Sequence, residues 1–390
     1  MDERLTELRA AVAAETDQAV ALRRDVHSHP ELGHTELRAT AAVTAHLEAA
    51  GLQPVARDAS VGLHVDIGSG EPLVAFRADL DALPIHEASG VPFASEVPGV
   101  MHACGHDAHT AIAAGLARAL SRLQLPGTIR VIFQPAEETV PGGAVDLVGE
   151  GVVAGVQSIL AFHVDPSMPP GTVGIRDGAI TGASDRIRVE VAGPGGHTSR
   201  PHQTTDLVHA AARVVTELPQ LVQRSTDPRD PIALVFGRIS GGSAENVIPT
   251  LVEIAGTVRM FDLELWRGMP PLIERLVAEI VAPLGATAVV DYKRGSPPVV
   301  NDPAVIATVA RAAASILGPE GVLPTEQSLG AEDFAWYLEE VPGALVRLGA
   351  ARPDRSVDLH SAEFDIDERA IPTGMMVGGA ALLALLDEAG

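Results

Sequence analysis

Apolar positions near the start of the chain recur at helical spacing: Leu5, Leu8 and Val12, then Val20, Leu22 and Val26. This predicts a helix from residue 2 to about 31. It gives way around His29-Pro30, because a residue before proline is pushed out of the helical region. A second helix, 37–50, stops at Gly51, a fitting C-terminal cap. The pattern then shortens. Residues 62–67, 73–77, 128–134, 158–162 and 344–348 are compact apolar runs and read as strands. Helices are expected at 110–123 (alanine-rich), 145–150, 303–317 and 372–386. Between them the character changes. Residues 186–191 alternate apolar and charged, as a half-exposed strand does. A helix at 206–222 with Thr205 as a possible cap, strands at 233–240 and 251–259, a helix at 263–282 and a strand at 287–292 follow. Strand–helix–strand–strand–helix–strand is the order of a ferredoxin-like split βαβ unit. The expected organisation is an α/β chain of two domains, one discontinuous (1–181 and 298–390) and one inserted (182–297).

Composition narrows the functions open to this chain. With 390 residues, two domains are the natural expectation. Aromatic residues are only 3%, so stacking platforms for single-stranded nucleic acid are not expected. The formal charge of −23, from 28 Lys+Arg against 51 Asp+Glu, argues against binding phosphate backbones or anionic membranes and favours cations. One cysteine excludes an intramolecular disulfide framework. The N-terminal stretch lacks the basic and apolar regions of a secretory signal. A soluble, cytoplasmic protein without nucleic-acid or membrane partners is expected.

The candidate chemistry sits where strands end. Residues 101–110, MHACGHDAHT, hold that cysteine, three histidines and an aspartate. A lone cysteine is more often a small buried hydrophobe than a ligand, so the stretch needs partners elsewhere. Asp79 and Asp81 follow the strand at 73–77, Glu137-Glu138 the strand at 128–134, and His163 the strand at 158–162. Asp358-Leu359-His360-Ser361 follows a polar loop. Ligand-type residues past strand ends follow the site logic of α/β sheets. Cys104, His106, Glu138, His163 and His360 form a mixed S, N and O set. Such a set suits two divalent ions better than one closed structural zinc. Glu137, next to a ligand, is the natural general base, a role that needs its carboxylate uncoordinated. His27, His29 and His34 are loosely spaced, and Glu332 and Asp333 suit either a site role or a helix start.

The segments MHACGHDAHT, QPAEE, AFHVDP, GGHTSRPH, ENVIPT, GTVR, GAEDF and LHSAEF, in this order, resemble the M20 metallopeptidase clan. The resemblance is strongest to its amidohydrolase branch: N-acyl amino acid amidohydrolases, hippurate hydrolases and indole-acetyl-amino-acid hydrolases. It runs from about Arg23 to the C-terminus. It implies a mixed-sheet, zinc-peptidase-like catalytic domain with an inserted ferredoxin-like α+β lid and dimerisation domain. It also implies two divalent metal ions, zinc or manganese with cobalt or nickel as alternatives, held by Cys104, His106, Glu138, His163 and His360. Cys104 would bridge them. The implied reaction is cleavage of an N-acyl amino acid's amide by a metal-activated water, with Glu137 as general base and His197 stabilising the oxyanion. Asn246 and Arg259 match positions facing the substrate's carboxylate end. Asp81 matches an aspartate that orients a ligand, and Asp107 and His109 are expected to support the metal loop. A homodimer through the inserted domain is implied as well. A carboxypeptidase or dipeptidase is the rival within enzymes; a binding protein that has lost hydrolysis is the rival outside them. The chain departs from the family pattern at Thr139-Val140-Pro141-Gly142-Gly143, at Ala331 where serine is common, and at Ala244-Glu245 before Asn246. These departures spare the expected ligands and leave the substrate pocket open.

Overall fold

Strand Leu73–Asp79 is buried at every position, and Val156–Asp165 nearly so. Continuous apolar runs of this kind need cover on both faces, as in parallel sheets. A computed structural model, describing residues 2–57 and 61–389, shows that sheet. Across it the strands run Val55–Ala56, Leu63–Gly68, Thr128–Gln134, Leu73–Asp79, Val156–Asp165, Gly343–Gly349, Val173–Ile175 and Val322–Pro324. The four strands from Thr128–Gln134 to Gly343–Gly349 are mutually parallel. Leu63–Gly68 is antiparallel to its neighbour and alternates in burial, as expected nearer an edge. Helices His106–Leu120 and Ala370–Ala389 pack on the central strands, and Asp2–Ser28 packs on both helices. Their approach depends on small residues. A Cβ on Gly115 would lie 2.9 Å from the Ala19 Cβ and 2.8 Å from the Met375 Cε. Ala370–Ala389 is long and apolar enough to cross a membrane, but 78% of its apolar window is buried inside the protein.

This sheet belongs to a first unit, Met1–Gly178 with Asn301–Glu326 and Asp333–Gly390. The second unit is Ala179–Val300 with Gln327–Glu332. It holds an antiparallel sheet in the order Ile232–Ser240, Leu251–Met260, Asp185–Ala192, Thr287–Lys293. Helices Leu207–Ser225 and Leu263–Val281 cover it through buried positions such as Val214, Leu218, Ile273 and Val277. This is the split βαβ arrangement. Residues 327–332 join this unit because Gly182 N–H donates to the Ser328 carbonyl (2.8 Å) and Ser328 N–H to the Ile180 carbonyl (3.0 Å).

Three local expectations change. The alanine-rich helix begins at His106, not at residue 110, so half of the 101–110 stretch is helical. The strand expected at 158–162 runs on to Asp165, because Gly343–Gly349 pairs with it through Arg347↔His163 and Gly349↔Asp165. His163 is therefore a strand residue. In the second unit Asp206, not Thr205, caps helix Leu207–Ser225, accepting from His209 N–H.

Candidate metal centre

The loop before helix His106–Leu120 is pinned at its start, where Met101 and Leu83 exchange backbone hydrogen bonds (2.9 and 3.0 Å). It turns at Gly105, φ +87°, where a Cβ would lie 2.3 Å from Val164 Cγ2. Only glycine tolerates both the left-handed backbone and that approach. The turn sets Cys104 before the helix and His106 at its first position. His163 meets them from the neighbouring strand, with its Nε2 3.4 Å from Cys104 Sγ. The C-terminal segment arrives at His360, whose N–H donates to the Ala103 carbonyl (2.7 Å). His360 Nε2 lies 3.2 Å from Glu138 Oε1.

The donor atoms form three overlapping groups: Cys104, His106 and His163; Cys104, Glu138 and His360; and His106, Glu137 and Glu138. Within each group they lie within 4.8 Å of one another. The five residues expected as ligands are thus brought together in one place, with Glu137 beside them. The cluster opens from a buried floor of Cys104, His106 and His163 to a rim where His360 is 52% exposed.

Each imidazole on the floor is turned by its other nitrogen. His106 Nδ1 bonds the Asp81 carbonyl (2.9 Å), which leaves its Nε2 buried and without a hydrogen-bond partner among the described residues. His163 Nδ1 bonds the Val164 carbonyl (2.8 Å). Both rings therefore turn Nε2 into the cluster, the arrangement in which a second partner fixes a ligating histidine. Asp81 does more than orient His106. Its Oδ2 also accepts the Glu138 N–H (2.9 Å), so one aspartate registers two donor-bearing segments.

His109 also groups geometrically with Asp79 and His106. Its ring nitrogens are both engaged, however. Nδ1 bonds Asp79 Oδ1 (2.7 Å), and Nε2 accepts the Val164 N–H (2.9 Å). It braces the strand end that carries His163. Asp107 turns away, accepting from Arg23 Nε (2.6 Å) and bonding His27 Nδ1 (2.8 Å). It ties the first helix to the metal loop and, among the described residues, hydrogen-bonds none of the five donors' side chains. His27 spends its other nitrogen on Glu87 (3.1 Å).

A second buried network supports Glu137. Arg77 bonds Asp79, Gln134 and Asp333, at 2.7–2.8 Å. The Asp333 carboxylate also accepts from Gln134 Nε2 (2.8 Å) and Ala144 N–H (3.0 Å). The Asp333 N–H lies 3.4 Å from Glu137 Oε1. The sequence reading missed Arg77. Its signal was present: an arginine inside a continuous apolar strand must find buried carboxylate partners.

Electrostatics fit a cation. Burial and the nearby Arg347 lower His163 well below the ordinary imidazole range, holding it neutral and able to ligate. Burial opposes charge on His106, but Asp79, Cys104 and Asp81 outweigh it and raise its pKa. Burial pushes the Cys104 thiol up to about 12. A thiol in that setting becomes a thiolate only if a cation enters. The orphaned His106 Nε2, the S, N and O donors, and the carboxylates behind them all fit divalent metal.

His197, Asn246 and Arg259 lie in the second unit. His197 is exposed and sits on a short pairing of Gly196–His197 with Val247–Ile248, where Ser199 donates to its Nδ1. Asn246 is beside it, its carbonyl accepting from Thr198 N–H (3.1 Å). Arg259 lies on strand Leu251–Met260 and donates to the Leu329 carbonyl.

A mixed sheet with such a donor cluster at its strand ends defines an α/β metallohydrolase. The chain belongs to the peptidase family M20/M25/M40, whose model matches residues 75–384. It is 38% identical over 358 residues to an N-acetyl-L-cysteine deacetylase of Bacillus subtilis, covering 91% of this chain and 85% of that protein. It is 44% identical over 374 residues to a Rhodococcus jostii protein named putative glutamate–cysteine ligase 2-3; that match covers 95% of this chain but only 47% of the relative. Among solved structures, a dinuclear metal-binding peptidase of family M20 from Bacillus subtilis aligns with a TM-score of 0.85 and 34% identity, over 96% of this chain and 99% of that one. Membership makes this chain a metal-dependent hydrolase of amide bonds.

Proposed function

We propose that this chain is an N-acyl amino acid amidohydrolase with two divalent ions held by Cys104, His106, Glu138, His163 and His360. The observation that carries the proposal is the sharing of donors. Cys104 belongs to two of the three groups, and so do His106 and Glu138, so neighbouring ions have residues in common. The deacetylase name of a relative across most of both chains supports the substrate class. Zinc or manganese suits the set; the imidazoles and carboxylate also admit cobalt or nickel.

Bound there, divalent ions supply Lewis acidity, polarising the acyl carbonyl and making water a better acid. The chain's own residues do the rest. Glu137 takes a proton from the attacking water and passes it to the leaving amine. The Asp333 N–H lies 3.4 Å from its Oε1 and helps to orient the carboxylate. His197 is assigned to the oxyanion, and Asn246 and Arg259 to the substrate's carboxylate, by their motifs. A homodimer through the second unit is part of the proposal. Its edge strand Ile232–Ser240 exposes Val235 and Ile239, an edge that pairing would protect. We place the protein in the cytoplasm, where a lone thiol stays reduced.

The test is a screen of N-acetyl, N-benzoyl and long-chain acyl amino acids with added metals, reading free amine. Turnover is expected, and Glu137→Gln should abolish it while metal content is kept. Cleavage of free dipeptides with no turnover of blocked amino acids would replace this reading with a dipeptidase.

A further inference from the structure

The turn that carries Glu137 and Glu138 leaves its strand through Ala136, which adopts φ +57°. Residues with a Cβ hold a left-handed backbone at a cost, so neighbouring structure must enforce it. Three bonds do so here. The Ala136 carbonyl accepts from Gly143 N–H (3.0 Å) and Thr139 Oγ1 (3.1 Å), and the Ala136 N–H donates to Glu36 Oε1 (2.7 Å). Two residues on, Asp81 takes the Glu138 N–H. Two buried carboxylates therefore clamp the amides on either side of Glu137.

Glu36 is an unusual choice for this position. It is fully buried just before helix Leu37–Glu48, yet makes no side-chain bond to that helix's amides. Glu31 performs that service, accepting from Arg38 and Ala39 N–H. The other Glu36 oxygen is buried with no hydrogen-bond partner among the described residues. An under-satisfied buried carboxyl lowers stability. One that leaves the capping of its own helix to Glu31 and reaches a turn 100 residues away is explained by what that turn carries. Burial raises its carboxyl to about 7, so a neutral carboxamide is a fair mimic of it.

We propose that Glu36 is a positioning residue of the metal centre: by holding Ala136 in its left-handed conformation, it sets the directions in which Glu137 and Glu138 leave the backbone. This rests on the reading of Glu138 as ligand and Glu137 as base. Glu36→Gln keeps an acceptor for the Ala136 N–H; Glu36→Met keeps length and removes it. Three quantities are measured on each full chain: affinity for zinc and for manganese by titration of metal-free protein, kcat and KM on an N-acetyl amino acid, and the metal-free Tm. Glu36→Met is expected to lose about 10–100-fold in metal affinity, the usual range for a group supporting a ligand. Its kcat should fall with KM nearly unchanged. Glu36→Gln should stay within about threefold of wild type in affinity and kcat, a difference of under 1 kcal/mol. A Glu36→Met protein with wild-type metal affinity and kcat, whatever its Tm, overturns the proposal, as does a Gln variant as impaired as Met. If Glu36→Met does not fold, Glu36→Asp decides. An affinity loss that Gln does not share supports the proposal, and wild-type affinity refutes it. If wild type hydrolyses no acyl amino acid, the substrate reading fails, while the metal titrations still decide the role of Glu36.

Discussion

The two units bury acids for different ends. In the first unit Asp79 bonds Arg77 and His109, Asp107 bonds Arg23 and His27, and Asp333 bonds Arg77. Burial works to raise Asp79, but His106, His109 and Arg77 together hold it well below the usual carboxylate range. In the second unit Asp185 is equally buried, but its hydrogen bonds among the described residues come from neutral donors: Tyr292 OH (2.6 Å), Trp266 Nε1 (3.1 Å) and Gly295 N–H (2.9 Å). Burial raises its carboxyl despite those bonds. Paired charge in the first unit builds a rigid frame around donor atoms. Neutral bonds in the second tie a strand to a helix and a loop. The first arrangement prepares a place for cations, and the second completes a core.

The largest test of this contrast removes the cation. Chelation, or His106→Ala, should take turnover to background. Returning zinc or manganese at about a hundred times its Kd should stabilise the metal-holding unit by about 2.7 kcal/mol. Amide hydrogen exchange read separately over the two units checks it. Protection should rise in strands Leu73–Asp79 and Val156–Asp165 and stay unchanged in Asp185–Ala192. Equal protection of both sheets would erase the distinction.

Next in size is the charged frame itself. Arg23 is 1% exposed and serves both Asp107 and Asp365 (2.6 Å each). Arg23→Met removes a buried cation shared by two carboxylates, leaving Asp107 only His27 and Asp365 only the more exposed Arg352 and Arg355. Breaking buried pairs of this kind costs about 3–5 kcal/mol. Asp185→Asn orphans no charge, so it should cost under about 1 kcal/mol. Denaturant unfolding of both variants compares the frames directly, and equal losses would contradict the argument.

The third test moves to function carried by exposed residues. His197→Ala should lower kcat by about 10²–10³-fold if it serves the oxyanion. Metal content should not change, because among the described residues no group of metal-donor residues includes His197. Measured kcat with metal analysis separates the two, and an unchanged kcat removes His197 from the reaction.

The donors were readable because each lies in a short motif whose chemistry is unusual for its place: a thiol beside histidines, paired glutamates after a strand. The second unit was readable because strands and helices followed in a telling order. What holds the donors was less readable. Arg77 meets Asp333 across 256 positions and Glu36 meets Ala136 across 100, so no local pattern joins them. Element ends were misplaced for a related reason. His163 is extended because a strand 180 residues later pairs with it, and His106 starts a helix because Gly105 can turn left-handed. Asp107 shows the converse. It sits inside the most telling motif, yet its bonds go to Arg23 and His27.

The smallest expected effect is in acid, where the units should respond in opposite directions. His46, in the first unit, is lowered from 6.5 to about 4 by burial and by Arg118. Its folded form resists protonation, so its contribution is complete above about pH 6.5 and is lost as pH falls towards 4. Asp185, in the second unit, is raised above 3.8 by burial. Its folded form holds a proton more tightly than the unfolded chain does. That contribution is complete below about pH 3.8 and is lost as pH rises through its folded value. His46→Leu should therefore gain Tm relative to wild type as pH falls from 6.5 to 4, by about 2–4 °C. Asp185→Asn should gain relative to wild type as pH rises over the lower part of that range. Thermal scans of the metal-free proteins at half-unit pH steps read both. Parallel curves for the two variants would mean that burial treats these residues alike and that the contrast between the units does not extend to acid.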